Sequence, residues 1–385
     1  MFKYISAFIL IIITIFFVSK LDIYTNKTIV LGTSLPKTGI MKEWGKSVEI
    51  GSNAYFKFVN ERKLLPDGKK IKLITLDDKY EPDLTLENTK KLLEREDLFA
   101  LYGYVGTPTV KNILHIITEI DIPFIAPFTG ASFLRDSKYK NIVNFRSSYK
   151  EEIQKIINYL YDIKHIEKFA VFYQNDIYGE EGYVSLISAL KKKNLNLVGE
   201  GTYKRNTLSI KHAFKEIKNS KPEAVLMVGS YKANSLFIKR ALKDEDLKDV
   251  VFCSISFSNA NEMINNLSGK NIENIIFSEV VPSNDNYDID VINEYKYLMK
   301  RYYPKEQLGF ISFESFLVAK VTVEALKKAN SSLTYKNFLK QMKYNTKNAI
   351  NGIPLKFENT ELLNKTYLFK YKDNKFIEID YDKKN

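Results

Sequence analysis

Strand-like apolar runs alternate with amphipathic segments along most of this chain. Ile29–Leu31, Ile71–Leu76 and Phe99–Tyr102 have the length and apolar content of buried strands. Between them, residues 44–61 and 83–96 place apolar side chains at helical spacing. This alternation predicts parallel sheets covered by helices, with ligands at the carboxyl ends of the strands.

The alternation restarts after a break near residues 144–148. Further helices are predicted at 150–164, 180–193, 208–219, 231–243, 288–302 and 310–329, strands at 168–173, 196–203, 224–228 and 250–255, and short strands in the tail 353–379. A chain of 385 residues exceeds one ordinary core. We therefore expect an α/β protein of two lobes, each with a mostly parallel sheet flanked by helices. The predicted lobes are 28–147 with 283–346, and 148–282 with 347–380.

Two of the apolar runs lead into turns suited to binding the oxygens of a small molecule. They are residues 100–109 and 122–131. In the first, Thr107 occupies the expected N-cap of a helix and Pro108 its first helical position. Free backbone donors and the helix dipole then favour a carboxylate or another oxygen-rich group at this point.

The composition argues against nucleic-acid binding, metal binding and catalysis. The net charge of +12 comes from lysines that alternate with glutamates, as in residues 90–96, so nucleic acid is not expected as a partner. The single cysteine, Cys253, lies in an apolar run and excludes a disulfide within the chain. His115, His165 and His212 are isolated in the sequence. We predict no metal, no cofactor and no catalytic residue.

The N-terminus predicts export. Residues 1–20 contain an apolar run from Ile5 to Val18, shorter than the ~20 residues of a full membrane span. The small residues of a good cleavage site are missing, and no cysteine follows for a lipid anchor. A signal peptide and an uncleaved membrane anchor both remain open, with the rest of the chain periplasmic or otherwise extracytoplasmic.

Several short segments, in this order, resemble one known family. They are residues 32–39, Trp44-Gly45, 77–82, 103–109, 127–131, Phe145-Arg146, 173–179, 228–231 and 352–355. The chain is similar to periplasmic solute-binding proteins of the branched-chain amino acid (Leu/Ile/Val-binding) type. The resemblance implies the type I two-lobed fold, a cleft that closes over one small ligand, and an ABC permease as partner.

Family binding positions carry over to particular residues of this chain. They are Trp44 as an aromatic wall, Gly106, Thr107 and Thr109 near the ligand's carboxylate, Phe128, Thr129 and Gly130 on a second lip, Tyr178 and Tyr231 on the facing lobe, and Ser256 after a second-lobe strand. Plainer interpretations remain open, because Trp44 could be a packing residue and Thr107 only a helix cap.

The chain departs from the family at Ser256. Members that bind α-amino acids have an acidic residue in this region, which pairs with the ammonium group, whereas residues 254–258 contain no carboxylate. Enclosing an ammonium without a counter-charge costs several kcal/mol. Either Asp176 or Glu279 supplies the charge, or the ligand has no ammonium group. The sequence alone slightly favours a ligand without one.

The resulting prediction is a monomeric, non-catalytic receptor for an amino acid, amide or small carboxylate, which delivers this ligand to an ABC importer. The alternative is a sensing module for a membrane kinase or cyclase, since the same fold serves both roles. A cytoplasmic enzyme is disfavoured by the leader, by the lack of G-x-G-x-x-G and P-loop patterns, and by the lack of a nucleophile–base pair.

Overall fold

Helices and strands alternate through the chain as the sequence predicts. The structure is a computed structural model that describes residues 26–268 and 273–381. The strands are β1 (Thr28–Leu35), β2 (Lys70–Asp77), β3 (Leu98–Tyr102), β4 (Phe124–Ile125), β5 (Ile142–Val143), β6 (Phe169–Gln174), β7 (Leu197–Tyr203), β8 (Ala224–Val228), β9 (Val251–Ser254), β10 (Ile275–Glu279), β11 (Tyr367–Lys372) and β12 (Lys375–Glu378). The α-helices are α1 (Lys42–Glu61), α2 (Pro82–Leu93), α3 (Thr107–Glu119), α4 (Tyr149–Asp162), α5 (Ile177–Lys191), α6 (Lys211–Asn219), α7 (Tyr231–Ala241), α8 (Ala260–Leu267), α9 (Asp290–Tyr302), α10 (Phe310–Ala329) and α11 (Tyr335–Tyr344).

The first sheet has the order β2-β1-β3-β4-β5, and all its strands are parallel. Strand β2, which follows β1 in the chain, lies on one side of β1, and β3 lies on the other side. The strand order therefore reverses between β1 and β3. The carboxyl ends at such a reversal leave a crevice that is open to ligands. Leu35 of β1 and Tyr102 of β3 mark its position.

The second sheet has the order β12-β11-β10-β9-β8-β6-β7. Strands β6 to β10 run parallel, while β11 and β12 are added antiparallel at one edge. Here the strand order reverses between β6 and β8, so Gln174 and Val228 end at the second crevice. Each lobe therefore presents one such crevice.

Helices from late in the chain pack on the first lobe. Gly51 of α1 lies against the backbone of Ser312 in α10, so closely that a Cβ on Gly51 would overlap the Ser312 carbonyl. One residue further along α1, the Ser52 hydroxyl is 2.6 Å from that of Ser315. The precise residue bounds of the two lobes stay a prediction.

Most predicted elements are present, but several bounds and segments were wrong. Helix α2 ends at Leu93, before the predicted residue 96, because Arg95 N bonds back to Leu92 O in a turn. Helix α5 begins at Ile177, three residues early, because Asp176 caps it through a bond from Tyr178 N. The elements β5, α8, β10 and α11 were missed. In the tail, regular strands form only in β11 and β12, and residues 353–366 contribute isolated bridges.

The predicted leader, residues 1–20, lies outside the described residues. Within the described ranges, none of the helices combines the length and apolar character needed to cross a bilayer.

Candidate functional site

The turn after β3 forms the first-lobe side of the site. Gly103 and Gly106 have φ values of +61° and +108°, which favour glycine. The backbone of Gly106 also packs on the Tyr80 ring, where a Cβ would overlap it. Helix α3 begins at Thr107 with Gly106 as its N-cap. The expectation that Thr107 is the N-cap was therefore wrong by one residue. Gly106, with its positive φ, is the last non-helical residue, and Thr107 is already helical.

The amide of Gly106 is not free in this structure, since it donates to Phe128 O at 3.2 Å. This bond and the bridge between Val105 and Phe128 hold the two predicted turns side by side. The expectation of free backbone donors at this turn was therefore wrong for Gly106, because the neighbouring turn accepts from that amide.

The hydroxyl groups of Thr107 and Thr129 meet at this junction, 2.7 Å apart. The Thr107 hydroxyl is also 3.2 Å from the Tyr149 hydroxyl. Gly130 completes the lip, because its carbonyl accepts a bond from Tyr149 N at 2.9 Å. These hydroxyls are completely buried and can each exchange a partner for an oxygen or nitrogen of a ligand.

Thr109 is placed differently. Its hydroxyl donates to Val105 O at 2.5 Å and to Gly106 O at 2.9 Å, so it stabilises the turn from within. The structure does not bring this hydroxyl into the group formed by Thr107 and Thr129.

Aromatic rings from both lobes meet opposite these hydroxyls. Trp44 stacks on Phe257 with ring centroids 4.7 Å apart, and lies edge-on to Phe128 at 5.9 Å. Phe257 also contacts Tyr178, at 4.8 Å. The rings of Tyr80 and Tyr149 lie 6.3 and 6.5 Å from Phe257. Phe257 thus fills the centre of an aromatic cluster, which we define as Trp44, Tyr80, Phe128, Tyr149, Tyr178 and Phe257.

The two predicted second-lobe tyrosines differ in their polar contacts. Tyr178 is buried in the aromatic cluster, and its hydroxyl has no hydrogen-bond partner among the described residues. Tyr231 begins α7, and its hydroxyl donates to Ile40 O of the first lobe at 2.5 Å. Both tyrosines lie at the carboxyl edge of the second sheet, as expected, and Tyr231 reaches across the interlobe boundary.

A buried group of charges lies beside the aromatic cluster. Arg146 makes a two-pronged ion pair with Glu314, with N–O distances of 2.9 and 2.8 Å. The Arg146 guanidinium carbon is 5.7 Å from the Trp44 ring centroid. Glu152 accepts bonds from the amide and hydroxyl of Ser256, at 2.7 and 2.9 Å. Ser256 therefore holds Glu152 in this structure, and its predicted contact with the ligand stays a prediction.

Glu279, at the end of β10, belongs to the same group of charges. Burial raises its pKa well above the ordinary value, and the nearby charge of Glu152 adds to this effect. Burial likewise raises the pKa of Glu152 to about 7, against the opposing influence of Arg146. We define Arg146, Glu152, Glu279 and Glu314 as the charged cluster.

Sequence reasoning missed much of this arrangement. Arg146 was part of a matching segment but received no role, and Glu279 appeared only as one possible counter-charge. Nothing in the local pattern distinguished Phe257, Tyr149 or Glu152 from other core or helix positions.

The two lobes are in direct contact at the site. The Trp44 indole donates to Phe257 O at 3.0 Å, and Glu181 of α5 accepts bonds from the amide and hydroxyl of Ser132 at 3.0 and 2.8 Å. A groove of about 500 Å³ runs along this boundary, lined by Gly130 and Ser132 on one side and by Glu181 and Val184 on the other. In this structure the two lobes therefore contact each other beside the aromatic cluster. Among the described residues, no cluster of His, Cys, Asp or Glu has an arrangement that would hold a metal ion.

Comparisons with known proteins agree with this architecture. A possible leucine/isoleucine/valine-binding protein from Rhodopirellula baltica is 28% identical, with a TM-score of 0.85, covering 93% of this chain and 97% of that one. A solute-binding protein of an ABC transporter from R. palustris, in complex with benzoate, is 17% identical with a TM-score of 0.80, over 91% of this chain and 95% of that one.

A curated amino acid binding protein from Pseudomonas aeruginosa is 22% identical over 165 residues, which is 42% of this chain and 43% of that protein. The match thus spans less than half the length of this relative. The model of the periplasmic binding protein family matches residues 28–375, nearly the whole described chain. Its sequence and its two-lobed architecture both place this chain in the periplasmic binding protein family, with the type I fold.

Proposed function

We propose that the chain is the extracytoplasmic receptor of an ABC importer and binds one small polar ligand between its lobes. The observation that carries the proposal is the meeting of the two crevices. The first lobe contributes the hydroxyls of Thr107 and Thr129, and the aromatic cluster joins the two lobes. The solved relatives that bind small molecules share this architecture.

The ligand contacts proposed for this site are Trp44, Gly106, Thr107, Phe128, Thr129, Gly130, Tyr178 and Tyr231, with Phe257 and Tyr149 added from the structure. Thr109 and Ser256 act indirectly, because their polar groups hold the turn and Glu152.

Lobe closure is necessary for useful affinity. A helix N-terminus contributes ~0.3–1 kcal/mol when exposed and up to ~2 kcal/mol when partly buried. Micromolar binding requires about 8 kcal/mol. Hydrogen bonds and aromatic burial in a water-excluded site must supply the difference. The bonds from Trp44 to Phe257 and from Ser132 to Glu181 support such a closed state.

The proposed role involves binding and release without chemical change. A panel of amino acids, amides, ureas and small organic acids would be tested by thermal shift and then by calorimetry. We expect one chemical class to stabilise the chain, with one molecule bound per chain. Mass spectrometry should recover that compound unaltered after long incubation, whereas conversion to a product would contradict a receptor role.

The importer partner needs its own experiment. We expect uptake of the identified compound into liposomes that contain an ABC permease from the same organism, dependent on this chain and on ATP. Lack of transport, together with ligand-dependent activation of a membrane kinase or cyclase, would favour the sensing alternative.

A further inference from the structure

A basic groove lies at the amino edge of the first sheet, opposite the crevice beside β1. It has a volume of about 650 Å³ and follows α11, and its charged lining consists of four lysines and one acid, Lys140, Lys336, Lys340, Lys343 and Asp121. We propose that this groove docks the first lobe on a membrane by binding the phosphate groups of anionic phospholipids. The inference goes beyond ligand binding between the lobes and uses none of the residues placed there.

Helix α11 crosses the amino ends of the strands of the first sheet. At the start of the helix, the Tyr335 hydroxyl donates to Leu98 O, where β3 begins, at 3.3 Å. Near its end, the Lys343 ammonium donates to Lys140 O, two residues before β5, at 2.6 Å. Because all five strands are parallel, the carboxyl ends that form the crevice lie at the opposite edge. A membrane bound at α11 therefore leaves the crevice uncovered.

The lysines of the groove are not neutralised by acids of the chain. The ammonium groups of Lys140 and Lys343 donate to main-chain carbonyls, those of Ser137 and Lys140. Among the described residues, none of the four lysines forms an ion pair with a carboxylate. Burial and the nearby charge of Lys140 lower the pKa of Lys343 to about 8. The groove thus brings like charges together, and an anion bound between them would stabilise them.

Positive charge continues along the same edge. Lys27 and Lys70 are exposed at the starts of β1 and β2, where a backbone bond of 2.9 Å joins them. The segment that leads from α2 into β3 is close to neutral, because its bases and acids are equal in number, Lys90, Lys91, Glu94, Arg95, Glu96 and Asp97. Tyr344 of the groove is 64% exposed, and tyrosine is enriched at membrane interfaces. Clustered lysines of this kind are typical of surfaces that bind anionic lipids.

The segment that precedes β1 indicates a bilayer as the occupant of the groove. Strand β1 begins at this edge, and three strand spacings, or about 15 Å, separate it from β5. The apolar run of the predicted leader ends at Val18, and the residues from there to Thr28 can span at most about 35 Å. A retained leader would therefore hold the groove close to the membrane, where anionic head groups attract its lysines.

Labelling of lysines tests the proposal on the full chain. The chain would be mixed with vesicles of phosphatidylcholine, or of phosphatidylcholine with phosphatidylglycerol, and acetylated with an uncharged N-hydroxysuccinimide ester. Mass spectrometry of peptides gives the rate at each lysine. We expect Lys336 and Lys340 to react about fivefold or more slowly on the anionic vesicles. Lys211 and Lys215, exposed at the same spacing on α6 of the second lobe, should react equally on both. High salt should abolish the protection, because it screens the attraction.

A double variant assigns the effect to the groove. Each lysine near an anionic surface strengthens binding about fivefold. Lys336→Gln combined with Lys340→Gln should therefore remove the protection of a third groove lysine, Lys140, on the anionic vesicles. Lys211→Gln combined with Lys215→Gln makes the same change in charge on α6 and should leave Lys140 protected. Because all four substituted side chains are exposed, both variants should melt like the wild type and bind the panel compound with wild-type affinity.

Several results would overturn membrane docking by this groove. One is equal labelling of Lys336 and Lys340 on neutral and anionic vesicles. Another is equal protection of the lysines on α6 and α11, which would indicate attraction by net charge alone. Protection by inorganic phosphate without vesicles would assign the groove to a free anion. Protection by an oligonucleotide at a lower phosphate concentration than by vesicles would assign it to an acidic polymer. None of these results bears on ligand binding between the lobes, which the compound panel tests separately.

Discussion

At the scale of single residues, two threonines in one helical turn have different roles. The Thr107 hydroxyl meets those of Thr129 and Tyr149 where the two first-lobe turns join, while the Thr109 hydroxyl is bonded to the backbone of its own turn. Because the residues are of the same type and equally buried, they form a natural pair for comparison.

Thr107→Val keeps the shape of the side chain and removes its hydroxyl. We expect ligand affinity to fall by about 1 kcal/mol, or roughly fivefold, because one buried hydrogen bond to the ligand or to its neighbours is lost. Thr109→Val is the control, and it should lower thermal stability while leaving affinity within about twofold. Calorimetry with the compound identified by the panel measures both. Equal losses of affinity in the two variants would contradict the assignment.

Another single residue, Glu361, predicts a pH dependence of stability. Its buried carboxylate pairs with Arg135 at 2.8 Å, yet burial raises its pKa from 4.5 to about 8, with a further contribution from Glu151. The folded chain therefore retains a proton that the unfolded chain has lost over this interval. Stability attributable to this group should fall as pH rises from about 4.5 to about 8.

Glu361→Gln removes the titration and keeps an oxygen for Arg135. The melting temperature of the variant minus that of the wild type should therefore be larger at pH 8 than at pH 5. Thermal melting at both pH values measures this difference. Glu358→Gln, at an exposed position three residues away, should follow the wild type. If the melting temperatures of the wild type and of Glu361→Gln change with pH in the same way, the raised pKa of Glu361 is contradicted.

At the scale of elements, the contact between α1 and α10 fixes the helix that carries Trp44. Helix α1 carries Trp44 near its start and Gly51 in its interior, where the backbone of Ser312 approaches. Close approach of the two helices also brings Ser52 and Ser315 into hydrogen-bond contact. The position of Trp44 against Phe128 and Phe257 therefore depends on how closely these helices pack.

Gly51→Ala should destabilise the chain. The new methyl group meets the Ser312 carbonyl, and overpacking of this kind costs ~1–3 kcal/mol. The gain in helix propensity of at most ~1 kcal/mol offsets only part of this cost. Asn53→Ala, at a half-buried position of the same helix, is the control and should be neutral or stabilising. Urea unfolding measures both, and a more stable Gly51→Ala would mean that the helices can separate freely.

The elements also show what periodicity can predict. Continuous apolar runs identified β1, β3 and β8 because strands buried on both faces need them. Helices α8 and α11 were missed because polar residues fill much of each short segment. The charged cluster was also beyond reach, since Arg146 and Glu314 come together only through the packing of α10.

At the scale of the whole molecule, side-chain contacts join the two lobes. Glu181 receives two bonds from Ser132 at one end, and Arg205 pairs with Glu81 at 3.0 Å elsewhere on the boundary. These contacts involve partly exposed side chains, so each contributes modestly. Together with the buried bond from Trp44, they hold the two lobes in contact, and in the proposed function they would oppose opening of the cleft.

Glu181→Ala should shift this balance without unfolding either lobe. We expect a larger radius of gyration in small-angle scattering without added ligand, and compaction to the wild-type value when the panel compound is saturating. Affinity should fall in proportion to the population that has opened. Lys191→Ala, at the exposed far end of the same helix, provides the control. A wild-type radius for Glu181→Ala would show that Ser132 and Glu181 do not hold the lobes together.

The pairing of β11 with β10 has a consequence for biogenesis. A sheet that begins at Phe169 is completed only at Glu378, after the chain has returned from the helices of the other lobe. Such long-range pairing is slow to form. A nascent chain still missing its last stretch would expose the edge of β10 to other strands. A chain that stays unfolded until β11 and β12 are available to pair would not expose this edge, so slow early folding would protect it from aggregation.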